Sequence, residues 1–537
     1  AQTNLGWLYE NGKGVAQDYK QAFSLYQKAA KKGQAEGQLN LGIMYANGKG
    51  IKVDYEKAVY WYKRAAEQEQ AEAQLNLGIM YKYGRGVEEN YTQAIYWFNK
   101  PAEQGYAEAQ TNLGWMYEYG KGVAQDYTEA IAWYQRAAEQ DDTTAQLNLA
   151  VMYKYGKGVT KDDTQVFYWY KKAAERGDTV AQLNLGIMFQ YGKGVDQDYS
   201  QAVQWYKKAA EQGQAEAQTS LGWMYENGKG IEEDDVEAIF WYKKAAEQGD
   251  TKAQLKLGII YKNGNGIDED YTQSFYWYKK VAEQGDAIAQ LNVGTMYEFG
   301  KGTIQDYTQA VHWYKKAAEQ GQAEAQTSLG WFYENGKGTD KDYTQAISWY
   351  KKAAEQGDTK AKLNLAIIYK NGKVAAEDYS QAFYWYKKVA DQGDADAQLN
   401  LGLMYEYGKG TEEDYTQAVR WYRKAAEQGD TIAQLNLAVM YKYGTGVNED
   451  FSQAVLWYKK AAEQGDTKAQ LNLAVMYASG EGVPENFVLA YKWANLAAAR
   501  GSEKARELKS GVKKLMTREQ IAEAQQLSLE WENQSGK

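Results

Sequence analysis

The chain has 537 residues, a net charge of −9, 14% aromatic residues, two prolines and no cysteine. The missing cysteine excludes disulfides, thiolate metal sites and thiol nucleophiles. Lysine and arginine form no run, so there is no electrostatic footprint for DNA or RNA, and no apolar run approaches the roughly 20 residues that cross a bilayer.

A length of this size ordinarily suggests three or four domains. An exact period overrules it. The pattern that opens at Ala1 restarts at Gly37, Ala73, Ala109, Ala145, Ala181, Ala217, Ala253, Ala289, Ala325, Ala361, Ala397, Ala433 and Ala469. Every step is 36 residues, fourteen copies fill residues 1–504, and residues 505–537 break the pattern. A period in this range reads as a solenoid in which each unit packs only on its neighbours. Ala1 falls inside a helical pattern, which leads to the expectation that further residues precede it, a signal peptide or a cap.

Within a unit, the first predicted helix reads A-Q-x-N-L-G-x-M-Y. In the sixth copy Ala181, Leu185 and Met188/Phe189 have the spacing of one helical face, and Asp178 is placed to cap it. Glycine holds the twelfth position of every copy, from Gly12 to Gly480, where the helix should end in a left-handed residue. A second glycine follows two residues on (Gly14, Gly50, Gly86), except at Val374. This G-K-G-V element is read as a helix–helix turn. Its spacing fits no phosphate-binding loop, and no strand precedes it.

Asp198 with Gln201 three residues later predicts a capping box at the start of the second helix. That helix continues through Ala202, Trp205, Tyr206 and Ala209/Ala210 to Gly213. Trp holds its place in thirteen copies, from Trp61 to Trp493, with Leu25 the exception. Gly186 on the first helix and Ala210 on the second are expected to let the two helix axes approach closely.

The unit A-x-A-Q-x-N-L-G-x-M-Y-x-x-G-x-G-V-x-x-D-Y-x-x-A-x-x-W-Y-x-K-A-A-E-Q-G resembles the Sel-one-like repeat, a variant of the tetratricopeptide repeat. The resemblance implies an all-α, right-handed α–α superhelix of fourteen helix-turn-helix repeats. It implies adaptor or scaffold roles without catalytic chemistry or a cofactor, and first helices that line a concave surface. Many bacterial members of the family are exported to the periplasm or cell surface. The proline that the family often carries after G-x-G-V is matched only by Pro484.

Several copies are irregular. Pro101 stands inside the second helix of the third copy and is expected to kink it or remove one hydrogen bond. Glu69 and Asp141 replace the closing glycine, and Asp163 and Asp235 replace the loop tyrosine. After Ala505, Leu508, Val512 and Leu515 continue a helical stripe, and Thr517 with Gln520 predicts a fresh helix start. Residues 505–537 are read as a polar helical cap.

Positions that vary between copies are where a ligand would be distinguished. The seventh carries Trp115, Trp223 and Trp331, and the eleventh carries Tyr83, Tyr119, Tyr155 and Tyr191; the two lie on one helical face. The fourth carries Asn76, Asn112, Asn148 and Asn184. These residues would suit an extended peptide, with Asn pairing to backbone amides and aromatics holding side chains. The alternative is that the asparagines bridge adjacent helices and the seventh position is partly core. Trp115, Trp223 and Tyr119 are read as an exposed groove. Tryptophan at the seventh position recurs at 7, 115, 223 and 331, every 108 residues, which reads as duplication of a three-repeat block. On a repetitive ligand this spacing would present equivalent pockets.

A non-catalytic scaffold for a protein or peptide is therefore the leading reading. A glycan- or cell-wall-binding surface and a repeat-bearing regulator of an enzyme are alternatives. Catalysis is disfavoured. The single histidine, His312, stands at a variable position, and no non-repeating polar cluster offers a nucleophile–base pair.

Overall fold

The computed structural model describes residues 1–373 and 378–535. Val374, flagged above, lies outside them. Among the described residues there are 30 helices and no strand. They divide into two units, Ala1–Asp270 and Tyr271–Lys537, with the break inside the eighth repeat.

The sixth repeat shows how the sequence builds each unit. Its first helix is Thr179–Tyr191, beginning two residues before the leading alanine. Asp178 accepts from the Ala181 amide at 2.7 Å. Gly192 ends the helix at φ 65°, so the chain reverses without a Cβ penalty. The second helix is Tyr199–Glu211, and Asp198 accepts from the Gln201 amide at 3.0 Å. The capping box is one-armed, however. The Asp198 amide donates to the Phe189 carbonyl at 2.9 Å, which ties the loop back to the first helix and leaves Gln201 nothing to cap. A reciprocal box forms at the other predicted start: Thr517 and Gln520 exchange backbone-to-side-chain bonds at 2.9 and 3.3 Å, opening the helix Arg518–Ser535.

Leu185, Ala202, Tyr206 and Ala209 are fully buried. The small residue on the first helix has a different partner from the one expected. A Cβ on Gly186 would lie 2.6 Å from the Tyr206 ring, so this position makes room for an aromatic of its own repeat. The same holds at Gly42 against Tyr62, and at Gly402 against Tyr422 in the second unit. The alanines of the second helix face onward: a Cβ on Gly37, the leading residue of repeat two, would meet the Ala29 methyl at 2.6 Å.

Two further devices join repeats. A Cβ on Gly50 would lie 2.6 Å from the Tyr19 carbonyl of the preceding repeat, so the second glycine is a contact between repeats as well as a turn. A buried glutamine ladder also runs from repeat to repeat. Gln182 donates to the Ala174 carbonyl at 3.2 Å and accepts from Gln212 at 2.8 Å; Gln326 and Gln356 repeat the arrangement in the second unit. These bonds satisfy the buried side chains of Gln182 and Gln326, whereas at Gln74, Gln146 and Gln470 the amide donates but Oε1 is buried without a partner, so the ladder is interrupted there.

The irregular copies keep their helices. The helix Tyr91–Glu103 runs unbroken through Pro101, and Asp163–Glu175 and Asp235–Glu247 keep the common length of 13 residues. Glu69 and Asp141 adopt the glycine's left-handed conformation, at φ 61° and 66°. Each is paired one repeat onward, Glu69 with Lys100 and Asp141 with Arg176, both at 2.7 Å. In the second unit Trp531 packs edge-on against Trp493, centroids 6.3 Å apart, and Ala524 and Val512 are buried. Leu515 does not continue the stripe. The helix stops at Lys513, and Leu515 is exposed.

Candidate functional site

The seventh and eleventh positions fall on one face of the first helices, as their spacing requires. The rings of Trp115 and Tyr119 are 5.2 Å apart. Tyr83, Tyr119, Tyr155 and Tyr191 are all more than half exposed. The tryptophans are not. Trp115, Trp223 and Trp331 are half-buried, each packed against a core cluster. An indole projecting from one first helix reaches the next, and the groove is therefore partly closed by its own walls.

Asn76, Asn112, Asn148 and Asn184 are half-buried. Asn112 and Asn184 donate to the carbonyls of Glu108 and Val180, four residues back, at 2.9 and 2.8 Å. Asn112 also accepts from Lys82 of the preceding repeat at 2.8 Å, and Asn148 meets the Tyr134 hydroxyl. Much of the hydrogen-bonding capacity of Asn112, Asn148 and Asn184 is thus spent inside the protein. The eleventh-position asparagines behave likewise, Asn227 and Asn335 donating to the Trp223 and Trp331 carbonyls.

Beneath this face runs a row of contacts that sequence reading did not anticipate. The buried tyrosine of the second helix reaches the tenth position of its own repeat: Tyr134 to Glu118 at 2.9 Å, Tyr206 to Gln190 at 2.5 Å, Tyr350 to Glu334 at 2.9 Å. Glu118 is buried and also takes Lys157 at 3.0 Å. Burial, then the Glu118 charge, holds the Tyr134 phenol far above its ordinary range; at Tyr170, burial followed by the nearby Tyr155 raises it to about 12. Where the tenth residue is Lys82, the partner is Phe98, without a hydroxyl. Lys82 turns to the Trp115 ring, 4.2 Å from its centroid, and burial pushes its ammonium down to about 8 against the opposing charge of Glu108.

The face opens between repeats six, seven and eight. A crevice of about 630 Å³ is walled by Tyr191, Tyr199, Trp223, Leu255 and Ile259, with Gln190, Gln197, Thr219, Ser220 and the Tyr242 hydroxyl as polar points and Lys252 and Lys256 beside them. Within the second unit a crevice of about 420 Å³ is lined by Glu298, Thr327, Ser328, Trp331, Phe332, Lys360, Leu363, Asn364 and Ile367. Most of these occupy the places that line the first crevice, 108 residues on.

Of the residues picked from sequence, Tyr191 and Trp223 meet at the first crevice and Trp331 lines the second; Trp115 and Tyr119 form a separate aromatic pair under Lys82. Lys252, Ser220, Leu255 and Tyr199 were missed. One signal was available: residues 209–230 and 317–338 differ only at Met224/Phe332, and among the tryptophan-bearing copies these two carry Ser in place of Asn at the fourth position. Among the described residues no group of His, Asp and Glu could hold a metal ion, and no helix is long and apolar enough to cross a membrane.

Comparison with known proteins agrees with the repeat pattern. The Sel1 repeat family model matches fourteen times, at residues 1–34, 35–69, 71–106, 107–142 and onward to 467–502. A solved protective antigen of uropathogenic Escherichia coli strains, described as displaying an SLR fold, is 40% identical over 82% of this chain and 94% of its own, with a TM-score of 0.65. A Sel1 repeat protein from Oxalobacter formigenes is 30% identical over 62% of this chain and 94% of its own, with a TM-score of 0.47. No match is found among curated proteins.

Proposed function

The chain belongs to the Sel1 repeat family, and from that premise we propose that it is a non-catalytic scaffold that holds an extended segment of a partner protein on the face made by its first helices. Repeats of this kind generally mediate protein–protein interaction and are generally without catalysis. The observation that carries the reading is the crevice at Trp223. It combines a fixed indole and aliphatic walls with hydroxyl and amide groups that can pair with a peptide backbone. The exposed tyrosines of the same face, Tyr83, Tyr119, Tyr155 and Tyr191, extend the surface along the first unit. The fourteen repeats of residues 1–504 supply the binding surface in this reading, and the helices from residue 505 to 535 close the last repeat, with Trp531 against Trp493.

A photo-crosslinking residue placed at Tyr191 on the first-helix face, or at Tyr168 on a second helix, separates the two sides of the repeat. Both side chains are exposed, so neither replacement disturbs the core. The expected result is an adduct with one partner from position 191 and none from 168, suppressed by unlabelled partner. Adducts from 168 alone would move the binding surface to the second helices.

A further inference from the structure

We propose that the Trp223 and Trp331 crevices are two copies of one pocket that receives an apolar side chain lying next to a carboxylate, so that the partner segment is an acidic peptide carrying large apolar residues. This rests on the scaffold reading above and specifies its ligand.

Three features set these crevices apart from the surroundings of Trp115. At Trp115 the preceding repeat contributes Lys82, whose ammonium lies over the indole and is held by Asn112. At Trp223 and Trp331 the corresponding residues are Gln190 and Glu298, and the asparagine is replaced by Ser220 and Ser328. The shorter side chain and the missing lysine leave room where repeat four is filled. Gln190 and Glu298 line the crevices while held by the hydroxyls of Tyr206 and Tyr314, at 2.5 and 2.6 Å.

Each crevice is bordered by a lysine, and the one carboxylate in either lining, Glu298 of the second, accepts from the Tyr314 hydroxyl. Lys252 and Lys360 stand at the same place in each crevice, are exposed, and form no ion pair among the described residues. Lys256 beside the first crevice is engaged by Glu226 at 2.9 Å, and so Lys252 remains as the free cation. On a chain whose net charge is −9, an acidic segment is repelled by the general surface and accepted where an unpaired ammonium borders an apolar recess. The second crevice offers one further group: Thr327 is buried and its Oγ1 has no hydrogen-bond partner, whereas Thr219 donates to Asp250 at 3.0 Å.

The test uses the full chain labelled with 5-fluorotryptophan, the Trp223 and Trp331 resonances being assigned by their loss in Trp223→Phe and Trp331→Phe. The probes are the capped tripeptides Ac-Glu-Phe-Glu, Ac-Gln-Phe-Gln, Ac-Lys-Phe-Lys and Ac-Glu-Ala-Glu amide. The expected result is that Ac-Glu-Phe-Glu shifts both resonances, binding at least about fivefold more tightly than the Gln and Ala peptides, with the Lys peptide weakest. Lys252→Glu with Lys360→Glu, both exposed and outside the core, should invert the order of the Glu and Lys peptides. Equal binding of the Glu, Gln and Lys peptides would overturn the acidic class while leaving the groove in place. Movement of one resonance alone would overturn the pairing of the two crevices. If no probe moves either resonance while the Tyr191 crosslink still forms, the pocket falls and the scaffold reading stands; loss of both removes the two together.

Discussion

At the scale of single residues, Lys82 shows how one side chain sets what a repeat can do. Its ammonium is buried against Trp115 and Asn112, and burial lowers its pKa from 10.5 to about 8. The sign of the linkage follows. Between about 8 and 10.5 the unfolded chain holds a proton that the folded chain has released, so stability rises with pH across that window, and below it the full cost of the buried charge is present. Lys82→Met keeps the length and removes the charge. It is expected to raise the urea midpoint at pH 7 by an amount equivalent to about 1 kcal/mol, the gain shrinking as pH climbs past 8. An unchanged midpoint at pH 7 would mean that the cation–π contact and Asn112 already offset the burial. The substitution had no sequence warning. Lys82 alternates with Glu118 and Gln190 at a position that reads as surface, and only the tyrosine or phenylalanine sixteen residues later betrays that it points inward.

At the scale of the element, the turn between helices was legible in kind but not in consequence. Gly12, Gly48 and their equivalents sit where a helix must stop, and they take the left-handed conformation that only glycine adopts freely. Asp178 and Asp198 cap as their spacing predicts, because an N-cap depends on neighbours within three residues. The second arm of the Asp198 box failed because a carbonyl nine residues back, Phe189, competes for the same amide, a contact that short-range pattern does not carry. The second glycine is the sharper case. Gly33 and Gly50 both have positive φ, 83° and 72°, but a Cβ on Gly33 meets nothing within 4 Å whereas one on Gly50 strikes the Tyr19 carbonyl. Gly33→Ala should therefore cost only the conformational penalty, about 1 kcal/mol, and Gly50→Ala should cost clearly more, about 2–3 kcal/mol, since backbone must move. Equal thermal shifts for the pair would show that the stacked loops yield without resistance.

At the scale of the whole molecule, the period exposed the architecture because every copy solves the same burial problem, and the site was hidden for the same reason. The residues that build Leu185, Met188 and Tyr206 into a core repeat with the chain. Those that open a crevice, Ser220 and Lys252, stand out only when copies seven and ten are set beside their neighbours. Trp223 looked exposed in sequence because its position varies; it packs against a core cluster that includes Leu183 of the preceding repeat, a relation that no single copy displays.

Nearest-neighbour packing also makes stability local. Each buried side chain in the sixth repeat is covered by its own helices and those on either side, so a lesion there has no direct route to distant repeats. Leu185 is fully buried, and Leu185→Ala should cost about 2–5 kcal/mol through lost contacts and the cavity left behind. Hydrogen exchange on the intact chain should then show protection lost first over repeats five to seven, residues 145–252, with the helices Tyr19–Lys31 and Ala35–Asn47 of the same unit retaining theirs. If instead the amides of Ala1–Asp270 lose protection together, the unit folds as one cooperative body, and the buried glutamines Gln110, Gln146, Gln182 and Gln218 become the first candidates for the coupling, because each donates to an alanine carbonyl of the preceding repeat.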